Sequence, residues 1–175
     1  MIIFNLDGTI ADYEHRKHFI DPKKNKDCFE FLNVETNERF YGFGYKNNVF
    51  QKWKRDSKSF WESCDKDDLI IPVAKFYQML CINYFDIEIW STRCESVRKK
   101  TEEWLEKHKI YYSELKMCPI NNFIPNYLLK ETWLDEALHK GKKIEFVFES
   151  KTDDIKMWRK RGIFVFNCCQ HDEEF

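Results

Sequence analysis

The chain has no run of 18 apolar residues, and charges interrupt every apolar stretch, which excludes a helix spanning a membrane. Its opening residues, MIIFNLDGT, lack both the basic start and the cleavage pattern of a secretory signal. Neither sign of charge is in excess: 29 Lys+Arg face 30 Asp+Glu, a net charge of −1. That balance argues against a histone-like general nucleic-acid binder, although a local basic face still suits phosphates. The seven cysteines (Cys28, Cys64, Cys81, Cys94, Cys118, Cys168 and Cys169) contain no Cys-x-x-Cys spacing. An odd number with an adjacent pair suits neither a zinc finger nor a disulfide framework; free thiols in a reducing, cytoplasmic setting are expected. Internal repeats and low-complexity tracts are also lacking.

What is present is core material. Hydrophobic residues make up 43% of 175 positions and aromatics 17%, enough for one domain with an embedded insertion and too little for two independent cores. Short apolar runs of strand length alternate with longer amphipathic patterns. Strands are expected at Met1–Asn5, Ile87–Trp90, Leu115–Cys118, Ile144–Phe148 and Ile163–Phe166. Helices are expected at Val49–Cys64, Pro72–Tyr84, Glu95–His108, Tyr127–His139 and Asp153–Arg161, the last two closed by Gly141 and Gly162. Near-continuous apolar strands separated by helices imply a three-layer α/β fold around a parallel sheet. Ligands in such folds sit beyond the carboxyl ends of the strands. The alternation breaks after about residue 21, where two β-like runs flank a Glu-Thr-Asn-Glu turn. The region from about 21 to 70 reads as an insertion capping the first strand, within a single domain spanning 1–175.

The most informative stretch is IIFNLDGTIAD at 2–12. Residues two apart on an extended chain point the same way, so Asn5 and Asp7 both address whatever lies at the strand's end. Gly8 allows a sharp turn there. Such a pair serves as nucleophile and acid/base beside a divalent cation; the alternative is an ordinary strand–turn in which Asp7 caps a loop. His15, Arg16, Lys17 and His18 either line the mouth of a pocket or begin a solvated helix. Phe40, Tyr41, Phe43 and Tyr45 either stack a base or pack the insertion on the core. Lys140, Lys142, Lys143, Lys151, Arg159, Lys160 and Arg161 give the last third a basic tendency, as a backbone-tracking surface or a solvated face.

Four motifs in order carry a resemblance. They are Asn5-Leu6-Asp7-Gly8-Thr9; Trp90-Ser91-Thr92-Arg93 followed by ESVRKKTEEWL; Lys130 within LLKETWL; and FVFESKTDDIKMWRKRG over 146–162. Together they resemble the haloacid dehalogenase superfamily, and within it the phosphatase domain of phage-type polynucleotide kinase and its stand-alone relatives. The resemblance covers nearly the whole chain outside the insertion. It implies a Mg²⁺-dependent phosphomonoesterase of nucleotides or nucleic-acid 3′ ends. It makes Asp7 the general acid/base. Ser91, Thr92, Arg93 and Lys130 would hold the phosphate, while Asn5, Asp7, Glu149 and Ser150 stand where the metal is held. His15 and Arg16 would belong to the substrate pocket.

Two positions depart from the pattern. Asn5 stands where the family has a nucleophilic aspartate, and a carboxamide forms no acyl-phosphate. Ser150 stands where relatives place a second acid, leaving Glu149 or Asp153 as substitutes; each lost carboxylate weakens Mg²⁺ binding. The chain as written should therefore be a poor phosphatase. Two explanations stay open: Asn5 makes a substrate-trapping form of an enzyme, or this is a natural module that binds a nucleotide or phosphorylated partner without hydrolysis. A third reading makes the chain an interaction scaffold using the insertion's aromatics.

Overall fold

A computed structural model describes residues 1–20, 31–32, 39–40, 57–83, 86–122 and 124–169. In chain order the elements are β1 (Ile2–Phe4), β2 (Ala11–Asp12), a 3-10 helix (Glu14–Phe19), β3 (Phe31–Leu32), β4 (Arg39–Phe40), α1 (Ser57–Glu62), a 3-10 helix (Cys64–Lys66), β5 (Asp68–Leu69), α2 (Ile71–Asn83), β6 (Ile87–Cys94), a 3-10 turn (Glu95–Val97), α3 (Arg98–Lys107), β7 (Glu114–Cys118), α4 (Asn126–His139), β8 (Phe146–Glu149), α5 (Thr152–Lys160) and β9 (Phe164–Asn167). Five strands form one parallel sheet in the order β7-β6-β1-β8-β9.

Because successive strand residues face opposite ways, β1 feeds two cores. Ile2 and Phe4 pack with Tyr77, Trp104 and Leu105 from α2 and α3. Met1 and Ile3 pack with Leu129, Trp133, Ile155 and Trp158 from α4 and α5. A strand buried on both faces has no polar side, which is why its sequence is an unbroken apolar run. In-register Phe4 and Phe148 stack at 4.2 Å, and Tyr77 meets Phe4 edge-on at 4.7 Å. Such pairs add about 0.5–1.5 kcal/mol each beyond their buried area.

Most expected elements stand within two residues of their sequence-based limits. The exception in the sheet is β6, expected to stop at Trp90 but continuing through Cys94 with a register irregularity against β7. Ser91, Thr92 and Arg93 are buried strand residues. Their polarity hid the continuation, since charged partners rather than apolar packing bury them. The expected hairpin is present as β3 against β4, with Phe31 opposite Phe40. Of the helix expected over Val49–Cys64, α1 and the following 3-10 helix are described; 41–56, with Tyr41, Phe43 and Tyr45, lie outside the described residues, as do Cys28 and the side chain of Phe40. A two-residue antiparallel pair, β2 with β5, was not legible in the sequence, being too short to show a period. It sets Asp12 opposite Asp68. Cys64, Cys81, Cys94, Cys118 and Cys168 are free thiols. Among the described residues, no helix is long and apolar enough to cross a membrane.

Candidate functional site

β1 lies at the centre of the sheet with β6 and β8 on either side, so the ends of all three parallel strands meet at one edge. That edge gathers Asn5, Asp7, Ser91, Thr92, Arg93 and Glu149. Lys130 joins them from the first turns of α4, and Arg16 from the 3-10 helix after β2. All of these are buried. The turn leaving β1 requires its glycine: Gly8 has φ +77°, and a Cβ there would stand 2.7 Å from Ser150 Oγ. With no Cβ at position 8, the β8 loop closes directly over the β1 turn.

One part of the site is built on arginine. Arg93 donates from Nε (2.9 Å) and Nη2 (2.7 Å) to Asp7 Oδ1, and Arg16 Nη2 donates to the same oxygen at 2.8 Å. Asp67 accepts from Arg93 Nη2 at 2.5 Å and from Arg16 Nε and Nη2, each at 2.7 Å. His15 Nε2 lies 2.9 Å from Asp67 Oδ1, and the Asp67 carbonyl accepts the Trp104 indole N–H at 2.7 Å. The Arg16 guanidinium rests over the Phe60 ring at 4.4 Å. Burial alone would raise the Asp7 pKa, but the Arg93 and Arg16 guanidiniums outweigh it and hold the carboxyl well below the usual carboxylate range. Burial and the Asp7 charge push Asp67 up against its arginine partners. Arg93 Nη1 is buried with no hydrogen-bond partner. The Arg93 backbone N–H donates to Ser91 Oγ (3.1 Å), and Lys151 Nζ donates to Thr92 Oγ1 (2.9 Å).

The other part is built on lysine. Lys130 Nζ donates to Glu149 Oε2 (2.5 Å), Asp154 Oδ2 (2.8 Å) and Asn5 Oδ1 (3.3 Å). Burial opposes its charge, yet Glu149 and Asp154 raise its pKa and keep it an ammonium. The other Glu149 oxygen accepts the backbone N–H groups of Ser150 (2.9 Å) and Lys151 (3.2 Å). Asn5 Nδ2 donates to the Asp7 carbonyl at 2.9 Å, and Ser150 Oγ donates to the same carbonyl at 3.2 Å.

The predicted site residues are therefore brought together, with two additions. Asp67 carries no motif signal, and only the fold brings it to the arginines. Asp154 had one: it lies four residues before Trp158 and beside Ile155, on the apolar face of α5. Asp153, considered as a substitute acid, instead turns outward, with its side chain 76% exposed and 3.8 Å from Lys156. The expected phosphate-binding Lys130 is deeper than a surface lysine, enclosed by two carboxylates. A groove of about 320 Å³ between α4 and α5, lined by Tyr127, Glu131, Asp153, Lys156, Met157 and Lys160, contains Asp153 but none of the residues gathered at the strand ends.

The resemblance implies Mg²⁺ at these strand ends. Mg²⁺ needs oxygens free to ligate it in near-octahedral array. Among the described residues, no three His, Cys, Asp or Glu side chains converge in that way. At the strand ends, the Asp7 carbonyl already accepts an amide and a hydroxyl, and both Glu149 oxygens accept N–H donors. The residues present do not fit Mg²⁺. The expected ligand set of Asn5, Asp7, Glu149 and Ser150 is contiguous, but it is satisfied by its own hydrogen bonds.

The sequence model of the family described as polynucleotide kinase PNKP phosphatase domain matches residues 48–173. That stretch holds Ser91, Arg93, Lys130, Glu149 and Ser150, while Asn5 and Asp7 precede it; the family match thus begins inside the expected insertion rather than at β1. No curated protein sequence matches the chain. Among solved structures, a chain of the Pnkp1/Rnl/Hen1 complex is similar at 22% identity and TM-score 0.65, over 95% of this chain and 45% of that one. A hydrolase from Streptococcus pneumoniae TIGR4 is similar at 16% identity and TM-score 0.53, over 94% and 90% of the two chains. CbbY from Rhodobacter sphaeroides in complex with phosphate is similar at 14% identity and TM-score 0.55, over 98% and 88%. This chain spans less than half the length of the Pnkp1/Rnl/Hen1 chain it resembles. With its three-layer fold of the haloacid dehalogenase type, the chain belongs to the polynucleotide kinase phosphatase-domain family.

Proposed function

We propose that this chain is a phosphate-recognising domain of phosphatase lineage that binds a phosphorylated nucleotide or nucleic-acid 3′ end without hydrolysing it. The observation that carries the reading is Asn5: its carboxamide takes the nucleophile's place and is tied to the Asp7 carbonyl and Lys130. A carboxamide is a poor nucleophile and brings no negative charge. Asp7 adds a second reason. Its Oδ1 is taken up by the Arg93 and Arg16 guanidiniums, which favour the carboxylate over the protonated acid that a leaving oxygen would need.

Phosphate recognition is supported by what the site keeps. Arg93 has a buried guanidinium N–H without a partner, and a planar fork suits a phosphoryl group. Ser91 and Thr92 lie on the same strand, and Lys130 supplies a buried positive charge opposite them. His15 and Arg16 enter this reading through Asp67, as support for the arginine fork. The segment 21–70 serves as a cap that selects the ligand. The nucleic-acid 3′ end is favoured by the family itself and by the likeness to a chain of an RNA repair complex. A cytoplasmic setting suits the free thiols.

The test is phosphate release from nucleoside monophosphates and 3′-phosphorylated oligonucleotides in Mg²⁺. The natural chain should release none. Asn5→Asp combined with Ser150→Asp restores both acids and should recover turnover, because nucleophile replacements commonly change kcat by on the order of 10⁴–10⁶. Sustained release by the unaltered chain would overturn the proposal.

A further inference from the structure

We infer that Asn5 and Ser150 stand in for the divalent cation, so that this cleft takes its phosphate with no metal; the inference rests on the phosphate-binding reading above. The Asp7 carbonyl lies where the turn after β1 meets the β8 loop. Two side-chain donors converge on it, Asn5 Nδ2 at 2.9 Å and Ser150 Oγ at 3.2 Å. These are the two positions at which the chain departs from the acidic pattern. Each replaces the family's carboxylate with a group that can donate, and each donor is aimed at the backbone oxygen of Asp7, itself one of the positions where the resemblance places the metal.

Charge bookkeeping points the same way. Four carboxylates (Asp7, Asp67, Glu149 and Asp154) face four cations: Arg16, Arg93, Lys130 and, from the half-buried edge, Lys151. The cluster is closed as it stands. A divalent cation would enter beside Lys130 with no unpaired carboxylate to meet it, in a site too buried for water to screen the repulsion. Acids at positions 5 and 150 would add two negative charges, the number one Mg²⁺ neutralises. Gly8 leaves the Ser150 hydroxyl its place, because a Cβ at position 8 would stand 2.7 Å from it.

The test is a Mn²⁺ titration followed by electron paramagnetic resonance, with inorganic phosphate titrated calorimetrically in EDTA and in Mg²⁺. The natural chain should show no saturable Mn²⁺ site below about 1 mM, in the weak range that hard cations reach with few charged ligands. Its phosphate affinity should be equal within about twofold in the two buffers, a difference close to zero on the free-energy scale. The Asn5→Asp/Ser150→Asp chain should gain Mn²⁺ binding at least about tenfold tighter and a melting temperature that rises with Mg²⁺. A saturable Mn²⁺ site in the natural chain that Glu149→Gln removes, or phosphate binding that needs Mg²⁺, would overturn the inference. If the double variant does not fold, the natural chain's Mn²⁺ titration and the single Ser150→Asp variant still decide it. Phosphate binding in neither buffer would instead sink the phosphate-binding reading, while a silent Mn²⁺ titration beside it still supports the replacement of the cation.

Discussion

On one side of the strand ends, Asp7 and Asp67 are held by Arg93 and Arg16; on the other, Glu149 and Asp154 are held by Lys130. Both sides are buried, and both bring in two acids. They differ in what is left over. The arginine side keeps a guanidinium N–H with no partner, whereas on the lysine side every Glu149 oxygen already has a donor. Among the described residues, Arg93 Nη1 is a donor still without an acceptor, but a cation at Glu149 would have to displace Lys130. Both departures from the acidic pattern, Asn5 and Ser150, cap the Asp7 carbonyl where the two sides meet. The positions expected to hold phosphate thus keep their charged side chains, while Asn5 and Ser150, at positions expected to hold the metal, are tied to the Asp7 carbonyl.

The strongest way to break this contrast is to remove the lysine. Lys130→Met leaves Glu149 and Asp154 buried and unpaired, and should cost about 3–5 kcal/mol of stability, read from the urea midpoint. A loss below about 1 kcal/mol would mean that water reaches these carboxylates, and that the lysine side is open rather than closed. Next in size is the arginine fork. Arg93→Lys keeps the charge but loses the bidentate geometry, and should weaken binding of a 3′-phosphorylated oligonucleotide by about 1–3 kcal/mol in a calorimetric titration. Unchanged affinity would remove Arg93 from the ligand's contacts.

The smallest effect concerns acid. The Asp7 carboxyl is held below its unfolded value near 4, so its pairing adds stability that is fully present above about pH 4. That stability is lost as pH falls further, toward the folded-state value. The stability gap between the natural chain and Asp7→Asn should therefore be level from pH 7 to 5 and narrow below about 4. A gap that widens on acidification would contradict the assignment of Asp7 as the arginines' ionised partner.

The sheet was legible because each of its strands is apolar enough to be seen without its partners. Val97, Thr101, Trp104 and Leu105, whose spacing puts them on one face of the helix expected over Glu95–His108, are all buried in α3 or the turn before it. The candidate site was legible where it follows a strand end, as at Asn5, Asp7, Arg93 and Glu149. Asp67 was not, because it reaches the arginines through a fold-back near β5 that no local period announces. Asp154 was missed for a different reason: a carboxylate on an apolar helix face makes sense only once Lys130, 24 positions earlier, is known to lie against it. Arg16, expected either at the mouth of a pocket or in a solvated helix start, is as buried as Trp90 and Trp158 and donates to both Asp7 and Asp67.

The most direct measurement compares a 3′-phosphorylated oligonucleotide with its 3′-hydroxyl twin in binding to the natural chain, while free phosphate is monitored in the same sample. The 3′-phosphate should bind at least about tenfold tighter, a difference of about 1.4 kcal/mol, with no phosphate released over the course of the titration. Equal affinity for the two oligonucleotides, or steady phosphate release, would contradict the account.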